Sequence, residues 1–245
     1  MDERAIKSEP IGNGKRIFVS PHHTFGTDAV LLAHFANAKS KDKLVDLGTG
    51  CGIIPFLVLR EIDLNSCFGV DISQEAIDLA RRSAKENGFD GFCEVYADLK
   101  DLKGKVPFGC HTLVTCNPPY KSANAGLKNP DSVIRTARHE IECTLEDIVS
   151  VAARLLQTSG RLCMCQRPER LAELTILMNK YKVEPKRLRL VAQRKGEKPW
   201  LFLIEGRRCG NSGLVIEPTL YVEENGKFSQ EMMEIYGPYK EGHGE

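Results

Sequence analysis

Short apolar runs alternate along this chain with stretches of helical period. Leu44 to Asp46, Cys67 to Asp71, Phe92 to Tyr96, His111 to Cys116, Arg161 to Gln166, Val183 to Val191 and Trp200 to Glu205 read as seven strands. Between them, Asp28 to Ala36, Ile53 to Arg60, Leu145 to Leu156 and Leu171 to Lys180 read as helices. A further helix starts after Ser73, a candidate N-cap. It carries Ile77, Ala80 and Ala84 at helical spacing and ends at Asn87-Gly88, while Ser159-Gly160 closes the helix after Leu145. Strands alternating with helices predict the α/β class: one doubly wound, mostly parallel seven-stranded sheet. The last two strands are separated by about eight residues that include Gly196 and Pro199, too few for a helical crossover. The final strand is therefore expected to run antiparallel.

This pattern divides the chain into a lead-in over 1–40, a main α/β domain over 41–210 and a tail over 211–245. In the lead-in, Gly12-Asn13-Gly14 between Ile11 and Ile17-Phe18-Val19 suggests a turn joining two short strands. From Glu217 onward the tail holds seven Glu against two Lys, so a peripheral and partly mobile segment is expected.

Composition narrows the function classes. With 245 residues, 42% hydrophobic and 27% charged, the chain can bury one full core. The net charge of +1 gives no global signature of nucleic-acid binding, so any such face must come from local clustering. No apolar stretch is long enough to span a bilayer, and the first residues lack the order of a secretory signal. The nine cysteines are scattered without a Cys-x-x-Cys pair. They read as reduced thiols of a cytoplasmic protein, and no metal site is expected.

Two segments carry candidate chemistry. The first is Asp46-Leu-Gly48-Thr-Gly50-Cys-Gly52, between the first sheet strand and a helix. Glycines there let backbone pass close to a ligand, and the free N–H groups of the helix start favour an anionic group. The dinucleotide fingerprint would need glycine at 53, where this chain has Ile53. Asp71 ends the second strand, where a carboxylate can accept from both hydroxyls of a ribose; the alternative is a cap on the helix after Ser73. Asp98 follows the third strand and is placed to reach an adenine amino group, or to cap a helix before Leu99. The pattern resembles the Rossmann-like class I S-adenosylmethionine-dependent methyltransferases. That resemblance implies S-adenosyl-L-methionine as cofactor, its methionine end on the glycine turn. Ile72, Leu99 and Asn117 complete the candidate cofactor set with Asp46, Gly48, Gly50, Gly52, Asp71 and Asp98.

The second segment is Asn117-Pro118-Pro119-Tyr120, directly after the His111 to Cys116 strand. The carboxyl end of a strand in an open α/β sheet faces the ligand crevice. Prolines fix φ and bias the residue before them to extended geometry, so Asn117 and the Pro118 carbonyl are held rigidly. An exocyclic amino group has two N–H donors and a lone pair delocalised into its ring. The Asn117 side-chain oxygen and the Pro118 backbone oxygen can accept both hydrogens, localising the lone pair, while Tyr120 offers a face for stacking. A surface peptide motif, such as a WW-domain ligand, is the alternative, and the adjoining core-like strand argues against it. Asn117, Pro118, Pro119 and Tyr120 are the candidate catalytic residues. The tetrapeptide resembles that of methyltransferases acting on adenine, guanine or glutamine amides.

Three features favour RNA as the acceptor. Lys180 to Arg208 holds ten Lys or Arg against three Glu, the footprint of a phosphate-binding stripe. The long segment from Lys121 to Glu140 could order around an extruded nucleotide. Finally, the lead-in leaves no room for the docking domain of glutamine methyltransferases. Lys121, Arg138, His139, Arg194, Lys195 and Lys198 join Tyr120 as candidate RNA contacts. His139-Glu140 is assigned a structural or substrate-contacting role, since loss of the amino proton follows transfer easily and demands no base. Thr24 to Ala33, Asn117 to Tyr120 and Ala137-Arg-His-Glu140 together resemble the bacterial family of adenine-N6 methyltransferases acting on valine tRNA beside the anticodon. The likeness runs from about residue 5 to 206 and implies tRNA as partner. A protein-glutamine methyltransferase and a non-catalytic nucleoside- and RNA-binding module remain as alternatives.

Overall fold

The computed structural model describes residues 5–118 and 143–237. Its centre is a sheet in which seven long strands alternate with helices: β3 (Lys43–Leu47), β4 (Ser66–Asp71), β5 (Phe92–Tyr96), β6 (His111–Cys116), β7 (Leu156–Gln166), β8 (Val183–Ala192) and β9 (Leu201–Arg208). The order across the sheet is β8-β9-β7-β6-β3-β4-β5. β9 runs antiparallel to both β7 and β8, as its short link to β8 predicts. The neighbours among β5, β4, β3, β6 and β7 are parallel.

Helices cover both faces. On one lie α1 (Thr27–Ala36), α2 (Ile53–Leu59) and α3 (Gln74–Asn87); on the other lie α4 (Leu145–Leu155) and α5 (Leu171–Lys180). Each helix has local reasons to start where it does. The Ser73 hydroxyl accepts from the Ala76 N–H at 3.3 Å, and Gly88 ends α3 with φ 68°. Thr144 and Asp147 form a reciprocal capping box before α4, with bonds of 3.1 and 2.9 Å.

The lead-in hairpin, β1 (Lys7–Gly12) and β2 (Lys15–Val19), packs along α3. Two helix side chains take the place of a third strand. Ser83 Oγ accepts from the Phe18 N–H at 2.9 Å, and Asn87 pairs with the N–H and C=O of Arg16 at 2.9 and 2.6 Å.

Two expectations change in the structure. Strand β7 starts at Leu156, directly after α4, rather than at Arg161. Its pairing with β6 jumps from His111↔Leu156 to Leu113↔Arg161, so the Ser159-Gly160 signal marks an irregularity inside the strand. The bulge is tight: a Cβ on Gly160 would lie 2.9 Å from the His111 carbonyl oxygen. The acidic C-terminal segment, expected as a peripheral tail, docks on the sheet. Strands β10 (Val215–Ile216) and β11 (Leu220–Tyr221) each pair parallel with β8. A small hairpin, β12 (Glu223–Glu224) with β13 (Lys227–Phe228), leads to α6 (Gln230–Tyr236). Leu220, Val222, Met232 and Ile235 are buried in the core. Apolar residues spaced among the glutamates give the segment a face to bury, and a charge count does not register that face. Among the described residues, no helix is long and apolar enough to cross a membrane.

Candidate functional site

The carboxyl ends of four adjacent parallel strands, in the order β6-β3-β4-β5, carry Asn117, the glycine turn, Asp71 and Asp98 in turn. Leu47 of β3 pairs with Cys116 of β6, so Gly48 and Asn117 are the next residues of neighbouring strands. The chain order of these strands reverses at β3/β6, the position where open α/β sheets leave a crevice.

Asp46 is almost fully buried at the end of β3. Thr115 Oγ1 on β6 donates to its Oδ1 at 2.6 Å, while Oδ2 has no hydrogen-bond partner among the described residues. Burial pushes its carboxyl up to about 7, against the opposing Thr115 hydrogen bond. The Thr49 hydroxyl is also buried, with no partner at hydrogen-bonding distance among the described residues, yet it lies near enough to Asp46 to oppose the rise of its carboxyl together with Thr115. Two orphaned oxygens beside a glycine turn fit a ligand that brings donors, such as an ammonium group.

The glycines divide into two roles. Gly48, Gly50 and Gly52 all have positive φ, at 70°, 55° and 90°. Nothing among the described residues lies within 4 Å of a Cβ placed on Gly48 or Gly50, which leaves their backbone accessible to a ligand. A Cβ on Gly52 would lie 2.4 Å from the ring of Phe56, which is fully buried against Phe89 and Phe92. Gly52 is thus set by packing as much as by any ligand. Gly52→Ala is expected to cost about 2–3 kcal/mol of stability in urea denaturation, from backbone strain plus displacement of Phe56.

Asp71 ties the turn to the next strand. Its Oδ2 accepts from the Gly50 N–H at 2.8 Å and its Oδ1 from the Ser73 N–H at 2.8 Å. Each oxygen keeps a free lone pair, so the capping and ribose-binding readings are compatible. Ile72 beside it is an exposed large apolar residue at 39%. Asp98 closes a turn rather than a helix. Its Oδ1 accepts from the Lys100 N–H at 2.8 Å, and Lys100 Nζ lies 3.6 Å from its Oδ2. Leu99 packs partly buried against the core.

Asn117 is half-buried, and Pro118 is buried. The Asn117 amide donates from Nδ2 to Asp28 Oδ2 at 3.1 Å and accepts at Oδ1 from the Cys165 thiol at 3.1 Å. Neither Asp28 nor Cys165 stands out in the sequence as a partner of Asn117, since each is 48 or more residues away. Pro119, Tyr120, Lys121, Arg138, His139 and Glu140 lie outside the described residues.

Arg194, Lys195 and Lys198 lie in the link between β8 and β9 and are exposed. This link is on the same sheet edge as Asn117, across β7 and β9 from it and away from Asp71 and Asp98. The basic stripe counted from the sequence is partly compensated by the fold. Arg187 pairs with Glu205 and Glu217 at 2.9 and 2.7 Å, Arg189 with Glu231 at 2.6 Å, and Arg194 with Glu223 at 2.5 Å. Glu217, Glu223 and Glu231 all come from the C-terminal segment, which a count over Lys180 to Arg208 leaves out. Lys195 and Lys198 form no ion pair among the described residues and keep their charge for another partner. No disulfide joins cysteines among the described residues, and burial pushes the Cys51 and Cys163 thiols up to about 12.

A family model described as "Methyltransferase small domain" matches residues 13–183. A relative from Porphyromonas gingivalis, named tRNA1(Val) (adenine(37)-N6)-methyltransferase, is 27% identical over 229 residues, 87% of each chain. One of the same name from Photorhabdus laumondii is 24% identical over 213 residues, covering 86% of this chain and 85% of that one. Among solved structures, a predicted O-methyltransferase from Agrobacterium tumefaciens superposes with a TM-score of 0.70 at 22% identity, over 87% of this chain and 97% of that one. A geranyl diphosphate methyltransferase solved with SAM superposes at 0.52 with 15% identity, over 74% of this chain and 84% of that one. At these identities the structural likeness is one of fold.

Proposed function

From the premise that this chain belongs to the methyltransferase small-domain family, whose model covers residues 13–183, we propose that it transfers a methyl group to the N6 amino group of an adenine in tRNA. Methyl transfer from S-adenosyl-L-methionine follows from the family; the adenine of a valine tRNA beside the anticodon is the reading that the names of its relatives support. One observation carries the assignment of the site. The β3–β6 register sets Asn117 and the glycine turn side by side at the sheet crevice.

The residues divide the work along that edge. Gly48 and Gly50 leave their backbone open to the methionine end of the cofactor, and the orphaned oxygens of Asp46 and Thr49 accept from its ammonium group. Asp71 accepts from the ribose hydroxyls through its remaining lone pairs. Ile72 and Leu99 flank the adenine ring, and Asp98 accepts from its amino group. When bound, the cofactor supplies an electrophilic methyl group on a sulfonium. Asn117 Oδ1 and the Pro118 carbonyl hold the two N–H groups of the acceptor, with Pro119 completing the rigid backbone and Tyr120 stacking on the base. Acceptance of both hydrogens localises the nitrogen lone pair for direct displacement, so catalysis is positioning and electrostatics. Lys121, Arg138 and His139, together with the link from Arg194 to Lys198, are the RNA contacts.

The test is incubation with methyl-labelled cofactor and either bulk tRNA or a translation release factor, followed by nucleoside digestion and mass spectrometry. The expected product is N6-methyladenosine in tRNA. Label on a glutamine of the release factor, or on neither substrate, overturns the proposal. The double charge reversal Lys195→Glu with Lys198→Glu is expected to weaken tRNA binding. It should also make the dependence of log affinity on log salt shallower by about two contacts. An unaltered slope in filter binding across a salt series removes this link from the interface.

A further inference from the structure

We infer that Asp28, in the first turn of α1, is a positioning residue for methyl transfer, fixing which end of the Asn117 amide faces the acceptor. The inference rests on Asn117 being the amine clamp. A carboxamide has a donor end and an acceptor end of nearly equal size, so shape alone does not stop it from turning over. Turned over, Asn117 would offer N–H groups to an amine that itself brings only N–H donors, and the clamp would be lost.

Two neighbours set the orientation. Asp28 Oδ2 lies 3.1 Å from Asn117 Nδ2, and an ionised carboxylate only accepts, so the NH2 end must face it. On the opposite side, the Cys165 thiol donates to Asn117 Oδ1 at 3.1 Å from a fully buried position on β7. A thiol is a weak donor, whereas the carboxylate forms a charge-assisted bond, so Asp28 contributes the larger share. The amide oxygen has two lone pairs. A carboxamide oxygen can therefore accept from the acceptor N–H as well as from the Cys165 thiol.

Asp28 is itself held in place. Its Oδ1 accepts from the Ala29 N–H at 2.9 Å. A Cβ on Gly26 would lie 2.7 Å from that same oxygen. Gly26 has φ −118° and ψ 179°, extended backbone that any residue adopts, so the carboxylate and not the backbone is what excludes a side chain there. The C-terminal helix closes over this turn, with the Tyr236 hydroxyl donating to Thr27 Oγ1 at 3.2 Å.

The experiment compares the full-length wild-type chain with Asp28→Asn, Asp28→Ala and Gly26→Ala. The readouts are kcat and KM for tRNA, cofactor affinity by calorimetry, and the side-chain amide resonances of Asn117 in protein labelled with 15N-asparagine. Asp28→Asn keeps size and polarity but can meet either end of the amide, so kcat should fall about tenfold with KM for tRNA within about twofold. Asp28→Ala should lower kcat further, to about one-fiftieth. Gly26→Ala keeps the carboxylate but displaces it, and should also lower kcat. Purely structural damage would instead lower the melting temperature and leave kcat per folded molecule unchanged, which overturns the inference. Should wild-type protein form no N6-methyladenosine, it is the reading of the site that fails. The resonance arm then still decides on Asp28: an Asn117 amide signal unmoved by Asp28→Asn overturns its role.

Discussion

Asn117→Ala is expected to leave cofactor affinity within about twofold and to lower turnover on tRNA at least about a hundredfold, since a fixed contact made in the transition state is lost. The separation of the two effects follows from the layout. The glycine turn, Asp46 and Asp71 belong to β3 and β4, and the hydrogen bonds of the two carboxylates run to Gly50, to Ser73 and to Thr115 on β6. Among the described residues, the Asn117 side chain bonds instead to Asp28 and Cys165. Removing the amide leaves those two groups without this partner and barely touches the cofactor side. Calorimetric titration with the cofactor and a single-turnover methylation assay check the two halves. Turnover that survives the substitution refutes the assignment of Asn117.

Asp46→Asn is expected to raise the stability of the cofactor-free protein at pH 8 while weakening cofactor binding at least about tenfold. Burial raises the carboxyl of Asp46 to about 7, so its charged form is disfavoured in the folded chain. The native state therefore holds a proton that the unfolded chain, with an ordinary aspartate near 3.9, releases. For a group raised in this way, stability is full below the unfolded value, falls as pH rises from about 4 to about 7, and stays reduced above that. Asparagine can keep the Thr115 bond without the charge, so the gain should be on the order of 2–4 kcal/mol at pH 8 and vanish towards pH 4. The cofactor reverses the sign, because an ammonium group paired with the orphaned Oδ2 needs the ionised form. Melting curves at pH 5 and pH 8, with and without cofactor, test both parts. Equal stabilisation at the two pH values would show that charge burial at Asp46 is not the cause.

The fold and the outline of the site were legible because they rest on local patterns. Seven apolar runs, Ser73 before α3 and the short β8–β9 link each act within a few residues. Asp46, Gly48 and Gly50 are readable for the same reason, since one turn brings them together. Gly52 shows the limit: its glycine is demanded by the Phe56 ring, a contact that a motif does not distinguish from ligand approach. The charge count over Lys180 to Arg208 overstates the exposed positive charge, because three of its arginines find glutamates beyond the end of the counted window.

Sequence by itself determined the α/β class, the mostly parallel sheet implied by alternation, the antiparallel last strand and the two motifs that hold the candidate chemistry. These follow from periodicity and backbone restriction, which are properties of neighbouring residues. Only the tertiary structure decided that Asp28 and Cys165 grip Asn117, that Asp46 carries an orphaned oxygen, and that the acidic C-terminal segment covers β8 and takes up its arginines. Those contacts join residues tens of positions apart, and their energies depend on burial and on which partners meet, quantities that exist only once the chain has folded.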